Sequence, residues 1–177
     1  MGVAESFRPS QKWSVLAGAV MRGDLVVDGL AVGRASVGGD DATSSISSLY
    51  RRLGRNDVNL LMVSGCILSF YNIIDIDGLA RRTGLPIVCL TYKETSGIED
   101  TIARHFPERV EEKLAAYRRL GSRKRVALGS GRTVFVRTSG ISDKEALSTV
   151  QRFTLQGSVP EPVRVARLLA RACAAAR

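Results

Sequence analysis

Histidine and cysteine are scarce in this chain, and their scarcity excludes several kinds of site. One histidine and three cysteines occur among 177 residues. Cys66, Cys89 and Cys173 are far apart and form no CxxC pair, so a zinc site is not expected. Two of the cysteines lie in apolar, strand-like runs, and free thiols of this kind indicate a reducing compartment. We therefore expect a cytoplasmic protein.

The chain also lacks long apolar runs and an excess of acidic residues. No run approaches the roughly 18 residues of a membrane span, and the N-terminus lacks the order of a secretion signal. We expect no membrane partner. Lys and Arg number 26 against 17 Asp and Glu, for a net charge of +9. Such a balance favours an anionic partner, commonly nucleic acid, although an Arg-rich proteome produces the same composition.

The chain does contain enough apolar residues to form a hydrophobic core. An apolar content of 45% over 177 residues predicts one globular domain, residues 1–177. Apolar periodicity and turn residues then divide it into elements. Strands are predicted at 1–5, 13–22, 25–37, 57–64, 85–92, 126–128 and 133–137. Helices are predicted at 41–54, 69–83, 107–120, 142–154 and from Pro160 to the C-terminus.

The order of these elements predicts an α/β fold. Gly23 and Asp24 predict a tight hairpin between the two long strands. The strand–helix–strand order over 57–92 predicts parallel strands with a right-handed crossover. Together they favour a mixed sheet of about five strands with helices on both faces, in the order of the ribonuclease H-like fold.

Acidic residues follow several of the apolar runs. Glu5 follows the first short run, Asp40 and Asp41 follow the run that ends at Val37, and Asp75 comes after strand 57–64. Carboxylates that gather at one sheet edge can hold Mg²⁺, which takes oxygen ligands. In a basic chain this indicates phosphodiester chemistry. The structural alternatives are a strand-end acid, a helix N-cap for Asp41 and a first-turn acid for Asp75.

Segments along nearly the whole chain resemble the archaeal family of endonuclease V-related proteins, also called endonuclease dU. The segments are GVAESF, VLAGAVMRGDLVVDG, VGGDDAT, FYNIIDI, GLPIVCLTY, VFVRTSGI and EPVRVARLLA. The resemblance implies a ribonuclease H-like fold. It also implies an endonuclease dependent on Mg²⁺, or on Mn²⁺, that acts on DNA near deaminated bases such as deoxyuridine.

The resemblance carries over only part of the expected metal site. Glu5 would be the first-strand acid, displaced by one residue, and Asp41 would be the second, with Asp40 beside it. The third acid position falls on Ser64. The polar group of the last helix falls on Arg167, which can neither ligate a cation nor act as a base. The implied catalytic residues are Glu5, Asp41 and Asp75, and the implied metal ligands are Glu5, Asp41 and Asp40.

Basic and polar residues are the candidates for holding nucleic acid. They are Lys93, Arg164, Arg167 and Asn72. Arg164 could instead pair with Glu161, and Asn72 could be a solvated helix residue. The expected partner is DNA, with RNA left open.

Three functions therefore remain open from the sequence. The chain is a Mg²⁺-dependent endonuclease, a nucleic-acid-binding protein that has lost catalysis on the same fold, or a structural partner of a repair or RNA-processing complex. Convergence of Glu5, Asp41 and Asp75 at one sheet edge would favour the endonuclease.

Overall fold

The computed structural model describes residues 1–94 and 98–176, and its framework is a seven-stranded mixed sheet. The strands are β1 (Gly2–Ser6), β2 (Trp13–Met21), β3 (Val27–Ser36), β4 (Leu61–Ser64), β5 (Ile67–Leu68), β6 (Asn72–Ile73), β7 (Ile87–Thr91), β8 (Lys124–Ala127) and β9 (Thr133–Ser139). The main sheet has the order β3-β2-β1-β4-β7-β9-β8, and β5 and β6 form a separate hairpin. The prediction of about five strands is too low because β9 pairs with β7 and extends the sheet by a hairpin.

Helices cover both faces of this sheet, as predicted. They are α1 (Ala42–Arg52), α2 (Ile76–Thr83), α3 (Ile98–His105), α4 (Val110–Arg119), α5 (Asp143–Arg152) and α6 (Glu161–Ala175). On one face Ile46 of α1 and Leu79 of α2 pack against the sheet in a buried core. On the other face Val150 of α5 and Val163 of α6 pack in a second core.

The centre of the sheet is parallel, as the strand–helix–strand order predicts. β4 pairs in parallel with β1 on one side and with β7 on the other. β2 is antiparallel to both β1 and β3, across the predicted hairpin turn, where Arg22 N donates to Val26 O at 2.9 Å. The C-terminal ends of β1, β3, β4 and β7 and the N-terminal end of β2 therefore share one edge. We call it the carboxyl edge.

The prediction of a helix over residues 69–83 is wrong in its first half. Ser69, Phe70 and Tyr71 instead turn between β5 and β6 with φ angles of 41°, 62° and 63°. Residues other than glycine in this left-handed region cost roughly 1–2 kcal/mol each, so contacts elsewhere must hold the turn. Those contacts lie at the carboxyl edge. They could not be predicted from the spacing of apolar residues.

The other helices differ less from prediction. The predicted helix 107–120 begins as a 3-10 turn, Pro107–Arg109, before α4, and α3 was not predicted. α5 has the predicted capping box between Ser142 and Glu145. Over the described ranges, none of the helices is both long enough and apolar enough to cross a membrane.

Candidate functional site

Alternate residues of β1 face opposite sides of the sheet, and this divides the carboxyl edge in two. Ala4 is buried against Ala166 of α6, whereas Val3 lies in the core under α1. Because strand side chains alternate, Glu5 lies on the α1 side. The candidate site therefore has an α1 side and an α6 side.

On the α1 side, Glu5 is held by the β5–β6 turn. Ser69 N donates to Glu5 Oε1 at 2.6 Å, and the Ser69 hydroxyl contacts Oε2. Ser69 Oγ also lies 2.6 Å from Ser14 Oγ, and Ser14 donates to Ala35 O. Each hydroxyl has one hydrogen to donate. If Ser14 donates to Ala35 O and Ser69 donates to Ser14 Oγ, then Ser69 Oγ can only accept from Glu5. In that arrangement the carboxyl group of Glu5 carries a proton.

The environment of Glu5 favours that proton. Burial raises the pKa of Glu5, and the two hydrogen bonds from Ser69 oppose the rise only in part. Desolvation disfavours the charged form of a carboxyl group. Both carboxyl oxygens of Glu5 are thus engaged by Ser69.

Asp41 does not cap α1 as predicted. Its carboxylate turns back to the end of β3, where it accepts from Ser36 N at 3.0 Å and from Asn72 Nδ2 at 2.6 Å. Asn72 takes over the capping role, because its Oδ1 accepts from Ala42 N at 2.8 Å. Although burial works against it, the hydrogen bonds from Asn72 and Ser36 lower the pKa of Asp41. Asn72 is completely buried, so it is not placed to contact nucleic acid.

Asp40 is paired with two cations. Lys113 of α4, whose side chain is 1% exposed, donates to Asp40 Oδ1 at 2.7 Å. The same ammonium donates to Gly39 O at 2.7 Å and to Tyr71 O at 2.9 Å. Arg109 contacts the other oxygen of Asp40. The sequence analysis missed Lys113, because a lysine in a charged amphipathic helix gives no sign of burial.

Asp75 has partners different from those of Glu5, Asp40 and Asp41. It caps α2 by accepting from Gly78 N at 2.8 Å, its side chain is 62% exposed, and Arg81 lies 3.8 Å away. Within residues 1–94 and 98–176, no three His, Cys, Asp or Glu side chains form a group that could hold a metal ion. The expected convergence of Glu5, Asp41 and Asp75 is therefore not found there.

On the α6 side, the two departures from the family pattern contact each other. Arg167 donates to Ser64 Oγ from Nε at 3.1 Å and from Nη2 at 2.7 Å. Its guanidinium lies 4.5 Å from the ring centre of Tyr92. Burial raises the pKa of Tyr92 to about 12, against the opposing charge of Arg167. Arg167 is thus fixed by hydrogen bonds and by stacking on an aromatic ring.

Arg167 borders an open cleft of about 420 Å³. Lys93, which is exposed, lines the same cleft, so the structure brings together these two predicted nucleic-acid contacts. Arg164 does not join them, because its Nε donates to the buried Glu161 at 2.8 Å. This is the alternative that the sequence left open.

A second cationic group at the carboxyl edge was missed. The guanidinium of Arg34 lies 4.7 Å from the ring centre of Trp13, and Lys12 Nζ lies 5.5 Å from it. Trp13 begins β2 at this edge, and it is only partly buried. Adjacent Lys12 and Trp13 were visible in the sequence, but Arg34 meets them only through the pairing of β2 with β3.

The residues at the edge do not fit a magnesium ion in this arrangement. On the α6 side, two expected ligand positions hold a hydroxyl and a guanidinium, at Ser64 and Arg167, and Ala4, the neighbour of Glu5 on β1, places a methyl group there. On the α1 side, the carboxyl oxygens of Glu5 and Asp41 accept hydrogen bonds from Ser69 and Asn72. Mg²⁺ demands oxygen ligands in near-octahedral geometry, and a fixed cation opposes its binding.

Comparison with known proteins identifies related sequences over nearly the whole chain. The sequence profile described as endonuclease dU matches residues 1–174. A UPF0215 protein of Pyrobaculum calidifontis is 39% identical over 171 residues, which is 96% of this chain and 93% of that protein. A UPF0215 protein of Pyrobaculum aerophilum is 36% identical over 96% of this chain and 91% of its own length.

Solved structures share the fold. A protein of unknown function from Archaeoglobus fulgidus superposes with a TM-score of 0.82 at 24% identity, over 97% of this chain and 95% of that one. Ciona intestinalis endonuclease V, in complex with DNA containing an inosine, gives a TM-score of 0.65 at 11% identity over 98% of this chain and 84% of its own. Human ENDOV gives 0.64 at 17% identity over 97% and 82%.

Proposed function

Because the chain belongs to the endonuclease dU family, we propose that it binds the phosphodiester backbone of DNA at the α6 side of the carboxyl edge. The observation that carries this proposal is Arg167, a guanidinium fixed by Ser64 and Tyr92 at the border of an open cleft. A planar fork of this kind matches the oxygens of a phosphate. Lys93, in the same cleft, supplies a second charge.

The fixed position of Arg167 supports this role. Ser64 takes up Nε and one hydrogen of Nη2, which orients the guanidinium before any ligand arrives. The hydrogens of Nη1 and the second hydrogen of Nη2 are then available for phosphate oxygens. An ordered side chain loses less conformational freedom on binding.

Charge and the related structures also support nucleic acid as the partner. The chain carries a net charge of +9, and Arg34, Lys12 and Trp13 add a cationic aromatic group at the same edge. Cations combined with aromatic rings are typical of surfaces that hold nucleic acid by backbone charge and base stacking. Endonuclease V of Ciona intestinalis has been solved with inosine-containing DNA.

A second candidate function is Mg²⁺- or Mn²⁺-dependent cleavage of DNA near deaminated bases such as deoxyuridine. Membership of the endonuclease dU family supports it. Such cleavage would depend on Glu5 and Asp41. Because the ligand positions on the α6 side lack a carboxylate, we favour binding without cleavage as the function of this chain.

The proposal is tested with a pair of variants that remove the same charge at opposite edges. Arg167→Met should weaken binding to a DNA oligonucleotide roughly tenfold and reduce the slope of log K against log salt by about 1. Arg152→Met is the matched control, because Arg152 donates to Gly23 O in the turn at the other edge. Fluorescence anisotropy over a salt series measures both. Equal losses in the two variants would show that only overall charge matters.

A further inference from the structure

The outer side of β3 is a sheet edge with free backbone groups. β3 is the last strand in the order of the main sheet, so no strand pairs with its outer side in the part of the chain that the structure describes. Ser36 N donates to Asp41 at 3.0 Å and therefore points away from β2. Because backbone groups alternate in direction along a strand, the N–H and C=O groups of Leu30 and Val32 also point outward.

The side chains of the same two residues are apolar and exposed. Leu30 is 51% exposed and Val32 is 38% exposed, although they lie opposite the buried Ala19 and Ala17 of β2. These alanines pack against α6, so Leu30 and Val32 lie on the α6 side of the sheet. An exposed apolar strip beside unpaired backbone groups is a template for pairing with another chain.

The opposite edge of the sheet is protected by charge, whereas this edge is not. β8, the last strand at the opposite edge, carries Lys124 and Arg125, which are both exposed. Charged side chains of this kind prevent pairing between sheet edges. Between Asp28 and Arg34, β3 has the sequence Gly-Leu-Ala-Val-Gly, which contains neither a charge nor a proline. This stretch therefore lacks the protection that β8 has.

The two ends of the stretch carry opposite charges. At its N-terminal end, Arg55 Nη2 is shared between Asp28 at 2.6 Å and Asp57 at 2.5 Å, so this group of three side chains is net negative. At its C-terminal end, Arg34 is exposed and lies with Lys12 over the ring of Trp13. In an antiparallel pair of two β3 strands, each negative end lies opposite a positive end. A two-fold axis thus makes the edge complementary to itself.

We propose that the β3 edge binds a second copy of this chain, in an antiparallel β3–β3 pair that joins the two sheets. The register that places Asp28 opposite Arg34 has its two-fold axis at Ala31. In this register Leu30 lies opposite Val32 of the second copy, and the two residues exchange backbone hydrogen bonds. The apolar side chains of both copies then cover one another on the α6 side.

The pairing is independent of the proposed DNA cleft. Arg167 contacts Ser64 at the end of β4, and β1 and β2 separate β4 from β3 in the sheet. The second copy therefore does not cover the cleft beside Arg167. DNA binding and self-association are separate measurements, and one fails without the other.

The oligomeric state of the whole chain is the first test. Sedimentation equilibrium over roughly 1–100 μM protein, the range expected for an interface of modest area, should show a monomer–dimer equilibrium. Leu30→Lys puts a charge in the centre of the pair and should raise the dissociation constant by about tenfold or more. Leu155→Lys is the matched control, because Leu155 is 63% exposed in the segment after α5. A parent that stays monomeric, or equal weakening by both substitutions, would overturn the proposal.

A charge exchange tests the antiparallel direction. Asp28→Lys brings a cation opposite Arg34, and Arg34→Glu brings an acid opposite Asp28, so each variant alone should associate more weakly than the parent. An equal mixture of the two should regain the parent's affinity, because each cross-strand pair then joins opposite charges. A mixture that associates no better than the separate variants would contradict the antiparallel pairing. Circular dichroism of each variant checks that the fold persists.

Cysteine cross-linking tests the register. Cys173→Ser is the background, since it leaves the two buried cysteines. Ala31→Cys then places two thiols at the two-fold axis, where the Cα atoms of facing residues are about 4.5 Å apart, a separation that a disulfide spans. Mild oxidation should give a covalent dimer faster than with Leu30→Cys or Val32→Cys. Faster cross-linking at position 30 or 32, or none at all three positions, would overturn the proposed pairing.

Discussion

The two sides of the carboxyl edge differ in the polar groups that they carry and in what engages those groups. On the α1 side, Glu5 and Asp41 are carboxylates whose oxygens accept hydrogen bonds from Ser69, Ser36 and Asn72. On the α6 side, Arg167 is a cation at an open cleft, next to Ser64. The carboxyl groups of the α1 side are engaged by partners within the protein, whereas Arg167 borders an open cleft.

Strand alternation explains this difference. Glu5 and Ala4 are neighbours in sequence, but a shift of one residue along a strand moves a side chain to the opposite face. Ala4 is the residue that meets α6. An acid displaced by one position, even one methylene longer, therefore cannot replace a carboxylate on the α6 side. The acids and the cation share an edge without sharing a site.

The largest expected effect comes from removing the cation that closes the α1 side. Lys113→Met leaves Asp40, Gly39 O and Tyr71 O without their buried partner. We expect a loss of about 2 kcal/mol in the free energy of unfolding, because Gly39 O and Tyr71 O lose buried hydrogen bonds from a charged donor, whereas Asp40 is 49% exposed and keeps Arg109. Urea denaturation measures it.

Arg109→Met is the matched control for this change. Arg109 also pairs with Asp40, but its side chain is 39% exposed, so its loss should cost at most about 1 kcal/mol. Equal losses in the two variants would mean that Lys113 does not brace the α1 side in the way its contacts indicate.

A middle-sized effect is expected from giving the α6 side the carboxylates it lacks. In the triple variant Ala4→Asp, Ser64→Asp, Arg167→Ala, Mg²⁺ should stabilise the fold by about 1.4 kcal/mol at ten times its dissociation constant. The parent should show no such stabilisation. The difference between melts in Mg²⁺ and in chelator, taken within each protein, removes the cost of the substitutions themselves.

Its control carries amides in place of the new acids, as Ala4→Asn, Ser64→Asn, Arg167→Ala. This protein has similar side-chain shapes without the charge and should not respond to Mg²⁺. If the parent itself is stabilised by Mg²⁺, a metal binds to the α1 side, and the contrast between the sides fails.

The smallest effect concerns the proton on Glu5. The pKa of Glu5 in the fold is raised above its ordinary 4.5, so the protonated form stabilises the fold fully below pH 4.5. That contribution is lost as the pH rises through the raised pKa. Relative to Glu5→Gln, the parent should therefore lose stability from pH 4.5 upward, with a slope of at most about 1.4 kcal/mol per pH unit. Urea denaturation across pH measures the difference, and a flat difference would show an ionised Glu5.

Much of the fold could be predicted from local sequence patterns. The hairpin at Gly23 and Asp24, the parallel pair β4 and β7 and the capping box at Ser142 each depend on a short signal. The turn at Ser69 to Tyr71 could not be predicted, because contacts from distant Glu5 and Lys113 hold its unfavourable φ angles.

The sequence identified residues of the candidate site, but it did not predict which of them contact one another. Ser64 and Arg167 stood out as departures from a family pattern, but they are 103 residues apart, and their contact depends on how α6 crosses the sheet. Asp41 followed the rule for an N-cap, yet Asn72 displaced it from that role. Sequence identifies such polar residues, whereas the face on which a helix packs decides their partners.

The most direct test of the central claim is one binding and cleavage assay with the parent protein and a deoxyuridine-containing DNA strand, in Mg²⁺ and in chelator. The account predicts the same affinity within about twofold under both conditions at matched ionic strength, and an intact strand in both. Strand cleavage that requires Mg²⁺ and disappears with Glu5→Gln would contradict it, because the α1 side would then be the catalytic one.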